Sequence, residues 1–225
     1  MVVFDLDDTL YLERDYVLSG FRAVGAWVEE ELRISNFAEL AAAIFDTGHR
    51  GDVFNRAFAD LGVRATPEFI GKAVDVYRRH WPEIRLAQDA AALLAAERPD
   101  GLCLALVTDG FLVAQQQKIR ALGLAAKGFW PLICTDLWGR AYWKPHPRAF
   151  ECIEALFGLP PHRLTYIGDN PTKDFVAPRQ RGWQTIRVDR PQRVNSVQPM
   201  HLSGESDLTI VDLSRLDWAE ICAEG

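Results

Sequence analysis

The sequence predicts an α/β fold: a parallel sheet with helices on both faces, carrying an inserted helical bundle. Three observations predict it. Five short runs, at residues 1–4, 102–108, 130–134, 163–168 and 183–188, are mostly apolar and of strand length. Segments of helical periodicity alternate with the last four runs. Between the first run and the second, residues 14–85 carry helical periodicity alone.

The first run ends at Phe4 and is followed by Asp5, Leu6, Asp7, Asp8, Thr9 and Leu10. Central parallel strands usually run about five residues, so this one is short, or the native start lies upstream. Residues 11–15 read as a turn into a helix. Val17, Phe21, Val24, Val28 and Leu32 then give a stripe at helical spacing. Phe37, Leu40, Ala41, Ile44 and Phe45 give a second, and Phe54, Phe58 and Leu61 a short third. A fourth opens at Thr66-Pro67, an N-cap with proline at the first helical position, and carries Phe69, Ile70, Ala73, Val74 and Tyr77.

An Ala/Leu helix at 88–97 stops near Pro99-Asp100-Gly101, and the strand at 102–108 follows. The helix at 112–122 ends at Gly123 and leads to the strand at 130–134. The helix at 147–157 ends at Gly158 and precedes the strand at 163–168. A helix at 176–181, the strand at 183–188 and a sixth strand at 207–211 complete the chain. Crossovers between parallel strands are expected to be right-handed.

A hydrophobic fraction of 48% supplies a sizeable core, and the net charge of −6 argues against a nucleic-acid surface. No apolar run approaches the roughly 18 residues of a membrane span, and no secretion signal opens the chain. Cys103, Cys134, Cys152 and Cys222 are scattered, as expected of buried thiols in a reducing cytoplasm. The seven tryptophans are read as core or shielding residues, not a base-stacking platform. Nothing in the sequence sets an oligomeric state.

Each chemically loaded segment lies after an apolar strand. Asp5-Leu6-Asp7 follows the first, and Thr108-Asp109-Gly110 the second. Lys144-Pro145 lies downstream of the third, and Gly168-Asp169-Asn170-Pro171-Thr172-Lys173-Asp174 follows the fourth. In a parallel sheet these ends converge on one edge, where ligands bind. The edge would hold Asp5, Asp7, Asp169, Asp174, a lysine and a hydroxyl. Clustered carboxylates repel unless a cation or a shared proton intervenes, and hard oxygen ligands suit Mg²⁺. A carboxylate can attack phosphorus, and a second, two residues on, can move the proton. Thr108 and nearby backbone N–H groups can hold phosphate oxygens.

The set DLDDTL, TDG, KPHP and GDNPTKD, in that order, resembles the haloacid dehalogenase (HAD) superfamily along nearly the whole chain. The resemblance implies a Rossmann-like core over 1–13 and 86–225 and a small helical cap over 14–85. It also implies a nucleophile at Asp5 and a general acid/base at Asp7, whose backbone carbonyl would bind Mg²⁺ too. Thr108 would bind phosphate, with Asp109 beside it, and Lys144 would steady Asp5 and the transferred group. Asp169 would coordinate Mg²⁺ with Asp174 in the metal shell. Asp109 stands where many members carry asparagine. True dehalogenases of the superfamily lack a carboxylate at the position of Asp7, so its presence favours phosphate chemistry.

The expected activity is a cytoplasmic Mg²⁺-dependent phosphatase acting on a small phosphorylated metabolite. A phosphomutase of the same superfamily and a non-catalytic regulatory protein are the alternatives. A sugar, a nucleotide or a short-chain acid would each suit the leaving-group pocket. His49 and Arg50, in a glycine-flanked loop of the cap, are candidate contacts to the leaving group; His146 and Arg193 are weaker ones.

Overall fold

The computed structural model describes residues 1–194 and 204–223. The chain forms two compact units, one of Met1–Glu13 with Arg85–Gly225, the other of Arg14–Ile84.

The first unit is built on six parallel strands: β1 (Val2–Phe4), β2 (Leu104–Thr108), β3 (Phe129–Cys134), β4 (Thr165–Gly168), β5 (Gln184–Val188) and β6 (Leu208–Ile210). Their order across the sheet is β3-β2-β1-β4-β5-β6. The chain winds outward from β1 through β2 to β3, then crosses to β4 on the other side of β1. The order therefore reverses at β1, and the crevice at its carboxyl end is the topological switch point. β1 has three residues, all buried, and is paired on both sides, Val2 to Leu104 and to Thr165, Phe4 to Leu106 and to Ile167. That double pairing compensates for its shortness. Val3, Ala105, Val107 and Tyr166 pack one face of the sheet against Ala149, Phe150, Ile153, Phe175 and Trp183.

The helices of this unit are α5 (Gln88–Ala95), α6 (Leu112–Ala121), α7 (Arg148–Phe157), α8 (Val176–Gln180) and α9 (Trp218–Ala223). The sixth strand is present at 208–210. Strand β4 begins at Thr165, not at 163, because Pro160 and Pro161 open a 3₁₀ turn that runs to Arg163. Helix α9 carried no periodic signal strong enough to read, being six residues long. Trp183 and Trp218 are buried, but Trp81 and Trp130 are each 61% exposed, which corrects the expectation that all seven shield the core. Cys134 is a buried free thiol, but Cys103 is exposed and Cys152 half-buried, which corrects the expectation of buried thiols; the side chain of Cys222 lies outside the described residues. No helix among the described residues is long and apolar enough to cross a membrane.

The second unit is helical: the body of α1 (Glu13–Leu32), then α2 (Phe37–Asp46), α3 (Val53–Asp60) and α4 (Pro67–Arg79). The Thr66 hydroxyl accepts a hydrogen bond from Phe69 N at 3.2 Å, capping α4 as the sequence suggests. An aromatic core joins Phe21, Phe37, Phe45, Phe54, Phe58, Phe69 and Tyr77 through tilted and edge contacts. Ser19 Oγ lies 3.1 Å from His80 Nε2 and accepts from Glu83 N at 2.9 Å, tying the last turn of the unit to α1.

Candidate active site

Just past β1 the backbone continues its pairing for one residue, Asp5 N donating to Ile167 O at 2.8 Å, and then reverses. Asp8 is the pivot. Its φ of +53° is left-handed, a conformation that aspartate tolerates better than most residues. Its carboxylate accepts Glu13 N at 2.9 Å and Val194 N at 2.7 Å. Arg190 fastens the same turn, donating to Thr9 O at 2.9 Å while paired with Asp89 at 2.7 Å. The three adjacent acids thus separate: Asp8 fixes the loop, and Asp5 and Asp7 face different partners.

Asp5 is 2% exposed and meets the Lys144 ammonium at 2.6 Å. Lys144 also lies 2.7 Å from Asp174 Oδ1 and donates to the Tyr166 hydroxyl at 2.8 Å. Tyr166 in turn donates to Val107 O at 3.2 Å, so β2, β4 and the 144 loop hold one ammonium between two carboxylates. Burial pushes the Asp5 carboxyl up to about 6, against the pull of Lys144 and with the repulsion of Asp174. Burial opposes the charge of Lys144, but Asp174 and Asp5 outweigh it and hold the ammonium well above its usual range.

Asp5, Asp169 and Asp174 are all buried, and each offers an oxygen within 4.8 Å of the others. Among the described residues the Asp169 carboxylate accepts no hydrogen bond and has no cation within 4 Å. Burial, then Asp174 and Asp5, raise it well above its usual range. A buried carboxylate without a partner, beside two that share a single lysine, fits a hard divalent cation. Gly168 makes this packing possible: a Cβ there would stand 2.6 Å from Asp174 Oδ2.

The Asp7 carboxylate is not part of that trio. Its Oδ1 accepts from Lys118 at 2.6 Å and from the Tyr11 hydroxyl, and its Oδ2 accepts from Gln115 Nε2 at 2.9 Å. Burial alone would raise Asp7, but Lys118, Tyr11 and Gln115 outweigh it and keep the carboxyl below its usual range. Gln115 also donates to Thr108 Oγ1 at 2.6 Å, which links the Asp7 side of the site to the end of β2. Gly110, at φ +125°, leaves the room that Gln115 occupies. Asp109 Oδ1 accepts from Thr135 Oγ1 at 2.7 Å and Lys144 N at 3.0 Å, and Lys173 lies 3.4 Å from its Oδ2.

The structure therefore brings together Asp5, Asp7, Thr108, Asp109, Lys144, Asp169 and Asp174 at the switch point. His49 and Arg50 belong to the helical unit. There His49 Nδ1 pairs with Asp52 at 3.3 Å, and Arg50 donates to Phe45 O and stacks on the Phe45 ring. His146 Nδ1 accepts Arg148 N at 3.2 Å, and Arg193 pairs with Asp189 at 2.7 Å. Sequence reasoning missed Tyr11, Gln115, Lys118, Tyr166 and Lys173. A signal existed for two of them: Gln115 and Lys118 are three apart on the helix that leaves the TDG motif, so they share its face.

The family of haloacid dehalogenase-like hydrolases matches residues 1–181. A phosphoserine phosphatase of Thermus thermophilus is 32% identical over 171 residues, covering 76% of this chain and 65% of that protein. A glyceraldehyde 3-phosphate phosphatase of Methanocaldococcus jannaschii is 28% identical over 228 residues, covering 96% and 94%. The fold is shared with the crystal structure of a 2-haloacid dehalogenase from Pseudomonas syringae, at TM-score 0.63 and 21% identity over 99% of this chain and 97% of that one. It is shared likewise with a HAD phosphatase from Thermococcus onnurineus, at TM-score 0.59 and 22% identity over 99% and 97%. A family match running from β1 through α8, on the sheet order that places these side chains, shows that the chain belongs to the haloacid dehalogenase-like hydrolases.

Proposed function

We propose that this hydrolase is a cytosolic, Mg²⁺-dependent phosphatase that cleaves a small phosphomonoester through an aspartyl phosphate on Asp5. The observation that carries the reading is the Lys144 ammonium held between Asp5 and Asp174, with an Asp169 that has no partner among the described residues beside them and Asp7 on a separate set of donors. The phosphatase activities of two curated relatives support it, and so does the carboxylate at position 7.

An Asp5 oxygen attacks phosphorus, the P–O ester bond breaks, and the leaving oxygen takes a proton from Asp7, which Lys118 holds ionised in the free protein and which takes up that proton from the monoanionic ester as it binds. Water then attacks the aspartyl phosphate, Asp7 takes its proton, and orthophosphate leaves with Asp5 restored. Lys118 favours the ionised form of Asp7, so it assists the second step. Thr108 Oγ1 and the backbone around Asp109 and Gly110 would hold the phosphate oxygens. A divalent cation held by Asp5, Asp169 and Asp174, with the Asp7 carbonyl as a further ligand, would offset the repulsion between carboxylate and phosphate. His49 and Arg50 are the proposed contacts of the helical unit to the leaving group.

The test is orthophosphate release from sugar phosphates, nucleotides and phosphorylated short acids, with Mg²⁺ and then with EDTA. Mg²⁺-dependent release concentrated on one class supports the reading. Isomer formation without release would replace it with a mutase, and inertness of the folded protein toward every ester would refute it.

A further inference from the structure

Five carboxylates of the site, Asp5, Asp7, Asp109, Asp169 and Asp174, meet three lysines, Lys118, Lys144 and Lys173. Asp8 and Glu13 lie in the same neighbourhood, so the acids clearly outnumber the ammoniums. Each lysine therefore matters when a dianionic phosphate arrives.

The three lysines are not equally engaged. Lys118 and Lys144 sit 2.6 Å from their carboxylates, with side chains only 6% and 0% exposed. Lys173 lies 3.4 Å from Asp109 Oδ2, longer than the 2.7–2.9 Å of a charge-assisted bond, and its side chain is 30% exposed. Asp109 does not close the gap, because Thr135 and Lys144 N pin its other oxygen at 2.7 and 3.0 Å. Its Oδ2 is buried and accepts no hydrogen bond. The backbone of Lys173 is fixed by its bond to Asn170 O at 3.2 Å, inside the loop that carries Asp169 and Asp174. The ammonium thus stands on a rigid base, loosely paired, among the groups that face Asp5.

We infer that Lys173 is a second phosphate-binding lysine, weakly restrained by Asp109 in the free protein and available to an incoming phosphoryl dianion. Asp109 acts as its counter-charge: a carboxylate beside the Thr108 phosphate site would repel the ligand, and Lys173 offsets it. The inference rests on the reading of this edge as a phosphate site and adds a residue outside the four-motif assignments.

Titration calorimetry with orthophosphate, on the full chain in Mg²⁺ buffer, tests it through binding. Lys173→Met should weaken orthophosphate by about 10- to 100-fold, the span expected for losing a charged hydrogen bond. Lys173→Arg keeps the charge and should recover most of that loss. Asp109→Asn frees Lys173 and should tighten binding by about threefold or more, a gain that disappears when combined with Lys173→Met. Binding by Lys173→Met within about twofold of wild type would overturn the inference. So would an Asp109→Asn gain that persists without Lys173, or no orthophosphate binding by the wild type. Lys173-dependent binding in a protein that hydrolyses no ester would refute the phosphatase reading alone. Normal hydrolysis with Lys173-independent binding would refute this inference alone.

Discussion

Lys118 holds Asp7 by an ion pair of 2.6 Å, across 111 residues of sequence and with its own side chain nearly buried. None of the four motifs contains that lysine. The carboxylate it grips is the proposed acid/base, so Lys118 determines both where that group points and which charge it carries. Lys118→Met leaves Asp7 on Tyr11 and Gln115 alone. Phosphate release should fall by about 10- to 100-fold, a part of what a positioned acid/base contributes. Lys118→Arg should fall less. Unchanged turnover in both variants would show that Tyr11 and Gln115 suffice.

Asp5→Asn should lower turnover by about a thousandfold or more while the protein stays folded, because Lys144 keeps Asp174 and Tyr166 as partners. The same variant carries a pH signature. The folded carboxyl titrates near 6 instead of its ordinary 3.8, so between those values the folded state binds the extra proton. Wild-type stability in EDTA therefore loses a contribution as pH rises from about 4 to about 6. Asp5→Asn lacks that loss. Thermal melts at pH 4, 5, 6 and 7 should show the variant gaining on wild type across this window; parallel curves would contradict the assignment.

Gly168→Ala should damage the cation site without removing a charged group. The added Cβ stands 2.6 Å from Asp174 Oδ2, and Asp174 also accepts Asn170 N at 2.8 Å and pairs with Lys144. The carboxylate has to move. A stability loss of about 1–3 kcal/mol is expected, together with an Mg²⁺ affinity about tenfold weaker. Melts over an Mg²⁺ titration read both effects at once, and an unshifted Mg²⁺ midpoint would argue against Asp174 as a ligand.

Away from the site, Arg181 grips Glu154 with two nitrogens, and Trp183 Nε1 donates to the same carboxylate at 2.8 Å. The Arg181 hydrogen bond holds Glu154 below its ordinary 4.5 against modest burial, and Trp183 adds to it. A depressed acid stabilises the fold above its unfolded value and loses that contribution as pH falls through the folded one. Glu154→Gln should lower the melting temperature by about 2–4 °C at pH 7. The difference should shrink steadily below pH 4.5. A gap that stays constant to pH 3 would mean that shape, not charge, holds this contact.

The sequence by itself determined the alternation of strand and helix, the helical character of residues 14–85, the Thr66 cap and the four acidic or basic segments at strand ends. These are local signals, set by apolar periodicity, capping chemistry and the order of motifs along the chain. Strand ends were less legible: Arg163, read as the start of a strand, closes a 3₁₀ turn that Pro161 opens, and the strand begins only at Thr165. Tertiary structure alone decided the fates of Asp5, Asp7 and Asp8, three acids within four residues. Left-handed backbone turns Asp8 onto Glu13 and Val194, Lys144 claims Asp5, and Lys118 with Gln115 claims Asp7. The physical reason is that a buried charge is set by whichever opposite charge the fold brings within about 3 Å of it. Lys144 and Lys118 reach those distances in a fold that holds β1 between β2 and β4.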